Sequence, residues 1–186
     1  MRLAFVVAAA LLLLAACGSG EREKPRPESL PASALPDLES RGRPLDAESL
    51  AADSLDPEAL TDVLGRAGFV AGSEREFAGK TRTFDHVVAR TLVFRSAAGA
   101  ETYLGWLRDH AADFLGRAEA TDVSTPGRSA VAFSLAQCGS CKKEVPTFLA
   151  GWRRGATVMT LLAGGSGANP DRFSALARRF DATVES

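Results

Sequence analysis

The stretch from Phe84 to Phe94 constrains the fold of this chain more than any other. Val87, Val88, Leu92, Val93 and Phe94 give it β-forming character, and apolar side chains fall on both of its faces. A strand apolar on both faces has to be covered on both. It therefore belongs in the middle of a sheet with a layer of structure on each side. The helical patterns for those layers are present. Asp56 is placed to cap a helix that begins at Pro57, with Leu60, Val63, Leu64 and Ala67 at helical spacing and Gly68 as a stop. Ala97 to Leu115 reads as a second helix with a stripe of Leu104, Leu107, Ala111, Phe114 and Leu115. Asn169-Pro170-Asp171 repeats the cap-then-proline start, and Phe173, Leu176, Ala177 and Phe180 line a last helix.

Between these helices the period changes. Phe69 to Phe77 is extended, and Gly79-Lys80 suggests a turn. Val131, Phe133 and Leu135 alternate with Ala132, Ser134 and Ala136, a strand with one bulky and one small face. A further strand runs from about Val145 to Trp152 and turns at Arg153-Arg154-Gly155 into Ala156 to Ala163. Trp152 shares a face with Phe148 and Ala150, a core position. Strands joined by short turns pair antiparallel. The expectation is an α+β domain, a mainly antiparallel twisted sheet of about five strands flanked by helices, with no internal repeat.

The N-terminus has a different character. Arg2 precedes an uninterrupted apolar run from Leu3 to Leu14, too short for a permanent bilayer span, so it reads as a secretory signal. The run closes on Leu14-Ala15-Ala16-Cys17, and Gly18-Ser19-Gly20 turns polar at once. This tetrapeptide resembles the lipobox of bacterial lipoproteins in every position; the alternative is an ordinary signal peptide with an accidental thiol. The resemblance implies alkylation of Cys17 by diacylglycerol, cleavage before it and acylation of the new N-terminus. Each buried methylene contributes about 0.8 kcal/mol, so two or three chains anchor a protein where one would not. The membrane is then the first partner, and the location extracytoplasmic. Gly18 in place of Asp fits the outer membrane in a diderm; in a monoderm the plasma membrane is the only choice. No cofactor beyond this covalent lipid is expected.

Three regions follow. Residues 1–16 are the signal peptide, and residues 17–45 are the lipidated cysteine with a disordered tether. That tether carries Pro25, Pro27, Pro31, Pro36 and Pro44 and no aromatic residue. Residues 46–186 form one α+β domain, led in by a loosely helical Asp46 to Leu55. Removing residues 1–16 from 186 leaves 170 residues with 21 basic and 23 acidic side chains, a net charge of −2. No basic excess supports nucleic-acid binding. The element order, with Gly68-Phe69, Phe94-Arg95-Ser96 and Gly99-Ala100 leading a helix, resembles the PsbP/Mog1-type sandwich of extracytoplasmic actinobacterial lipoproteins and kinase sensor domains. No catalytic signature comes with that resemblance.

With Cys17 lipidated, the three cysteines leave one pair, Cys138 and Cys141, expected to be oxidised outside the cytoplasm. Their Cys-Gly-Ser-Cys spacing matches thiol–disulfide oxidoreductases, but those enzymes place the first cysteine at a helix N-terminus to lower its pKa. Here the motif falls between β-patterned segments. A structural bridge pinning a hairpin tip is the favoured reading, contributing about 2 kcal/mol for so short a loop. A metal site would need two more ligands, and the two histidines, His86 and His110, have no supporting spacing. Gly164-Gly165-Ser166-Gly167 joins a strand to a helix without the lysine of a phosphate loop, so it reads as a flexible connection.

Trp106 lies nearly opposite the Leu104/Leu107/Ala111 stripe, with Tyr103 and His110 on its flank. If exposed, the three would form a binding patch. Large aromatics are ordinarily covered, here by a neighbouring loop or the tether. Three readings of function remain. The first is a non-catalytic envelope lipoprotein domain, not an enzyme, that binds an envelope protein or a small ligand. The others are an envelope thiol–disulfide protein using Cys138 and Cys141, and a structural or assembly lipoprotein.

Overall fold

The computed structural model describes residues 27–135 and 145–184. Its strands are β1 (Glu39–Leu45), β2 (Phe69–Ala78), β3 (His86–Phe94), β4 (Ala118–Ala120), β5 (Arg128–Leu135), β6 (Thr147–Arg154) and β7 (Thr157–Gly164). Its helices are α1 (Ala47–Ala52), α2 (Pro57–Ala67), α3 (Ala97–Asp109), α4 (Ala111–Leu115) and α5 (Pro170–Val184). The strands form one sheet in the order β1-β2-β3-β7-β6-β5-β4, and every neighbouring pair is antiparallel. The α+β class and the antiparallel sheet flanked by helices are as read from the sequence. The strand count is seven rather than about five.

β3 is the two-faced strand that the sequence demanded. Leu92 and Phe94 enter a core shared with α1 to α4, while Val87 and Ala89 enter a second core shared with α5. Antiparallel neighbours β2 and β7 saturate its backbone on both sides. The caps follow the sequence. The Asp56 carboxylate accepts from the Ala59 amide with Pro57 in the first turn, and Gly68 ends α2 at φ 68°, a left-handed conformation that glycine adopts without strain. Gly155, at φ 57°, turns β6 into β7.

The tether reading fails for its second half. Leu30, Ala34, Leu38 and Leu45 are buried, and residues 39–45 form edge strand β1. Composition averaged over this stretch hides leucines spaced so that each reaches a core, and an edge strand tolerates Pro44. The domain therefore begins before Leu30, not at residue 46, and among the described residues both cores draw on Leu30 and positions after it. The expected single helix from 97 to 115 is two. His110, at φ −117° and ψ 19°, leaves the helical region and separates α3 from α4.

The glycine run after β7 is not a flexible connection. A Cβ on Gly165 would lie 2.5 Å from the Thr83 carbonyl oxygen and 2.6 Å from the Phe84 Cα, and one on Gly167 would lie 1.9 Å from the Arg82 carbonyl oxygen. The two backbones touch there, and Asp85 N–H donates to the Gly164 carbonyl at 2.8 Å. Gly165→Ala is expected to cost about 2 kcal/mol through forced displacement of the 82–85 loop. Denaturant titration checks this, with the exposed Ser166→Ala as a neutral control; equal midpoints for the two variants would remove the close approach.

Candidate functional site

A cleft of about 650 Å³ opens between three elements. One wall is the segment from Ala34 to Leu38, which follows a single 3-10 turn; the second is the β2–β3 loop, and the third is the first half of α5. Each wall is held by local chemistry. In the loop, Thr81 Oγ1 donates to the Phe84 carbonyl at 2.7 Å and accepts from the amides of Thr83 and Phe84, both at 3.1 Å. Phe84 is thereby turned into the core and leaves Lys80 and Arg82 exposed. Asn169 caps α5 by accepting from the Arg172 amide at 2.9 Å. The Arg172 guanidinium donates to the Gly167 carbonyl at 2.6 Å, so backbone rather than a carboxylate positions it.

The cleft is cationic at its rim and apolar at its floor. Lys80, Arg82, Arg172 and Arg179 line it, with Asp37 the one carboxylate, above Leu35, Leu38, Phe84 and Leu176. Four other arginines are spent on carboxylates. Arg43 and Arg90 both hold Glu74 and Asp53, Arg153 donates to Glu101, and Arg154 binds Asp181, which also accepts from Trp152 Nε1 at 2.9 Å. Burial alone would push the Asp181 carboxyl up, but Arg154 and Trp152 outweigh it and hold it below the ordinary carboxylate range. These paired arginines are structural; among the described residues the cleft's cations have no such carboxylate pair. An array of guanidinium and ammonium groups over apolar side chains can take an anionic surface or ligand, since arginine binds phosphate and carboxylate bidentately.

The sequence-predicted patch is not a surface. Tyr103 is 1 % and Trp106 7 % exposed, so neither presents a face to a partner. The helix break at His110 brings the His110 ring to 4.7 Å from Trp106 in a stacked pair, and Phe114 of α4 closes edge-on at 6.0 Å. α3 also packs against both the sheet and α2, which widens its buried arc beyond the leucine stripe. Burial pushes the Tyr103 phenol up to about 12, with the Arg90 charge opposing it. Tyr103, Arg90 and Thr160 instead border a small cavity of about 140 Å³ between the sheet and α3–α4.

Cys17, Cys138 and Cys141 lie outside the described residues. Among the described residues, no three His, Cys, Asp or Glu side chains are grouped to hold a metal ion, and no helix is long and apolar enough to cross a membrane. His86 is exposed and contacts Glu76 at 3.1 Å, away from His110. Sequence reasoning missed the cleft because it joins three segments far apart in the chain. Its one legible signal was the basic character of the last helix, Arg172, Arg178 and Arg179.

The architecture defines a class: a seven-stranded antiparallel sheet sandwiched between one terminal helix and a four-helix layer. The extracellular domain of PknH from Mycobacterium tuberculosis has a similar fold, with a TM-score of 0.53 at 11% sequence identity over 83% of this chain and 89% of that one. At that identity the likeness is one of fold. No protein-family model matches the sequence, and no curated protein sequence matches it.

Proposed function

We propose that this chain is an extracytoplasmic lipoprotein whose domain is a non-catalytic binding module of the cell envelope, held to the membrane through lipid on Cys17. The observation that carries the binding role is the cleft beside α5, where Lys80, Arg82, Arg172 and Arg179 stand over an apolar floor and make no ion pair with a carboxylate among the described residues. Leu14-Ala15-Ala16-Cys17 at the close of the apolar run supports the anchor, and a fold shared with a domain described as extracellular is consistent with it. The site offers charge and shape for recognition. Among the described residues that line it there is no histidine, cysteine or serine.

Expression in a bacterial host with a C-terminal tag tests the anchor. The mature chain is expected to begin at Cys17, to carry the mass of a diacylglyceryl group and to pellet with membranes. Cys17→Ser is expected to remain uncleaved and unlipidated. A mature N-terminus at any other residue, or an unmodified Cys17, would sink the reading.

A further inference from the structure

The two faces of the sheet carry opposite charge. α1 to α4 cover one face with six carboxylates, Glu48, Glu58, Asp62, Glu101, Asp109 and Asp113, against Arg66 and Arg108. α5 covers the other. It exposes Arg172, Arg178 and Arg179 beside Asp171, while its second aspartate, Asp181, is buried on Trp152 and Arg154. Lys80 and Arg82 extend the basic surface across the cleft. Asp37 and Glu28 are the carboxylates of the segment alongside, and Asp85 of the β2–β3 loop accepts from the Thr81 amide at 3.2 Å, so five cations stand against four acids there with Asp171 included. This basic face runs against a mature net charge of −2.

The chain also leaves the domain on this side. Thr91 Oγ1 donates to the Glu28 carbonyl at 2.7 Å, and Ser29 Oγ donates to the Ala89 carbonyl at 2.9 Å. Ala89 faces the α5 core, so Pro27 begins its path toward Cys17 from the α5 side of the sheet. Nine residues separate Cys17 from Pro27, a span of ten Cα–Cα steps. Even fully extended they reach at most about 35 Å, so the domain stays close to the anchoring surface.

We propose that the α5 face docks on the anionic surface of the membrane that holds the anchor. Lys80, Arg82, Arg172, Arg178 and Arg179 lie against lipid phosphates, and α1 and α2 turn away. The proposal rests on the anchored reading given above and adds the orientation of the domain. Each cation near an anionic leaflet multiplies partitioning by roughly fivefold. A short tether keeps the effective concentration in about the millimolar range, so a few such contacts suffice. The acidic α1–α4 layer is repelled by the same surface, which fixes which face goes down.

The test tethers the chain from residue 18, which contains every described residue of both cores, through an N-terminal hexahistidine tag. It is held on nickel-chelating phosphatidylcholine vesicles with and without phosphatidylglycerol. Hydroxyl-radical footprinting then compares Leu35 and Pro36 at the cleft with Leu55, which is 79% exposed beyond α1. Cleft residues are expected to be protected on the anionic vesicles alone, and high salt should release them. Arg178→Glu with Arg179→Glu should weaken that protection at least about tenfold while circular dichroism stays unchanged. Equal protection on neutral vesicles, or protection of Leu55, overturns the proposal. Protection by soluble polyglutamate but not by vesicles assigns the face to an acidic protein and overturns it too. Because the tag replaces the lipid, a failure of Cys17 lipidation leaves this result intact, so the two readings fail separately.

Discussion

Replacing Trp106 by Ala is expected to destabilise the domain by about 3–5 kcal/mol, the range for removing a buried tryptophan. The ring is part of a continuous aromatic row. Phe69 meets Phe94 at 5.8 Å, Phe94 meets Tyr103 at 5.5 Å, Tyr103 meets Trp106 at 5.9 Å, and Trp106 stacks on His110. Truncation opens a cavity in the middle of this row and removes the surface on which α4 closes through Phe114. Trp106→Phe is expected to lose less than half as much. The Trp106 Nε1–H is buried and has no hydrogen-bond partner among the described residues, so removing it recovers part of a desolvation cost of about 1–3 kcal/mol. Guanidinium denaturation of both variants provides the measurement. An alanine variant with the wild-type midpoint would mean that the ring is exposed after all, as a binding patch with Tyr103 and His110 requires.

Trp106 is covered, as large aromatics ordinarily are, but its cover includes Phe114 of α4 rather than a loop or the tether. Periodicity hides this because it treats 97 to 115 as one helix with one apolar stripe. Nothing in the side-chain pattern marks the break at His110, and the break is what brings Phe114 back over Trp106. Where local chemistry decides, the sequence was enough. Asp56-Pro57 and Gly68 bound α2, and Gly155 turns β6 into β7 because each residue meets a backbone requirement at its own position. β4 has three residues, too few for a period, and β1 carries one buried apolar residue, Leu45, among glutamate, serine, arginine, glycine and proline. The charges that segregate between α5 and α1–α4 were legible one by one. Their separation onto opposite faces depends on strand order and helix layering, which exist only once β3 has been placed between β2 and β7.

Glu74→Gln is expected to lower stability at neutral pH by about 3 kcal/mol and to flatten the acid limb of the unfolding profile. Glu74 lies on β2 in register with Arg43 of β1 and Arg90 of β3, and it accepts from them at 2.7 Å and 2.6 Å. Asp53, just past α1, bridges the same two guanidinium groups at 2.5 Å and 2.8 Å. The Glu74 side chain is only 8% exposed, so its charge is compensated by these partners rather than by water. Removing one member of such a buried set costs about 3–5 kcal/mol, because the charges left behind are neither solvated nor paired. The lower end applies here, since Arg43 is nearly half exposed. Burial alone would push the Glu74 carboxyl up, but Arg43 and Arg90 together outweigh it and hold it below its ordinary value. The sign follows: the stabilisation is complete above the unfolded carboxyl's value of about 4.3 and is lost as pH falls through the lower folded value. The glutamine variant lacks that loss and keeps the parallel one from Asp181, so its acid limb is shallower but not flat. The pairing also fixes β1. A slip of one residue would turn Arg43 to the α5 face and leave Glu74 with Arg90 alone. Hydrogen exchange of the β1 amides should therefore accelerate in Glu74→Gln more than that of β7, which lies beyond β3. Equal exchange in β1 and an unchanged acid limb would show that Glu74 titrates as in the unfolded chain and that leucine burial alone holds the edge strand.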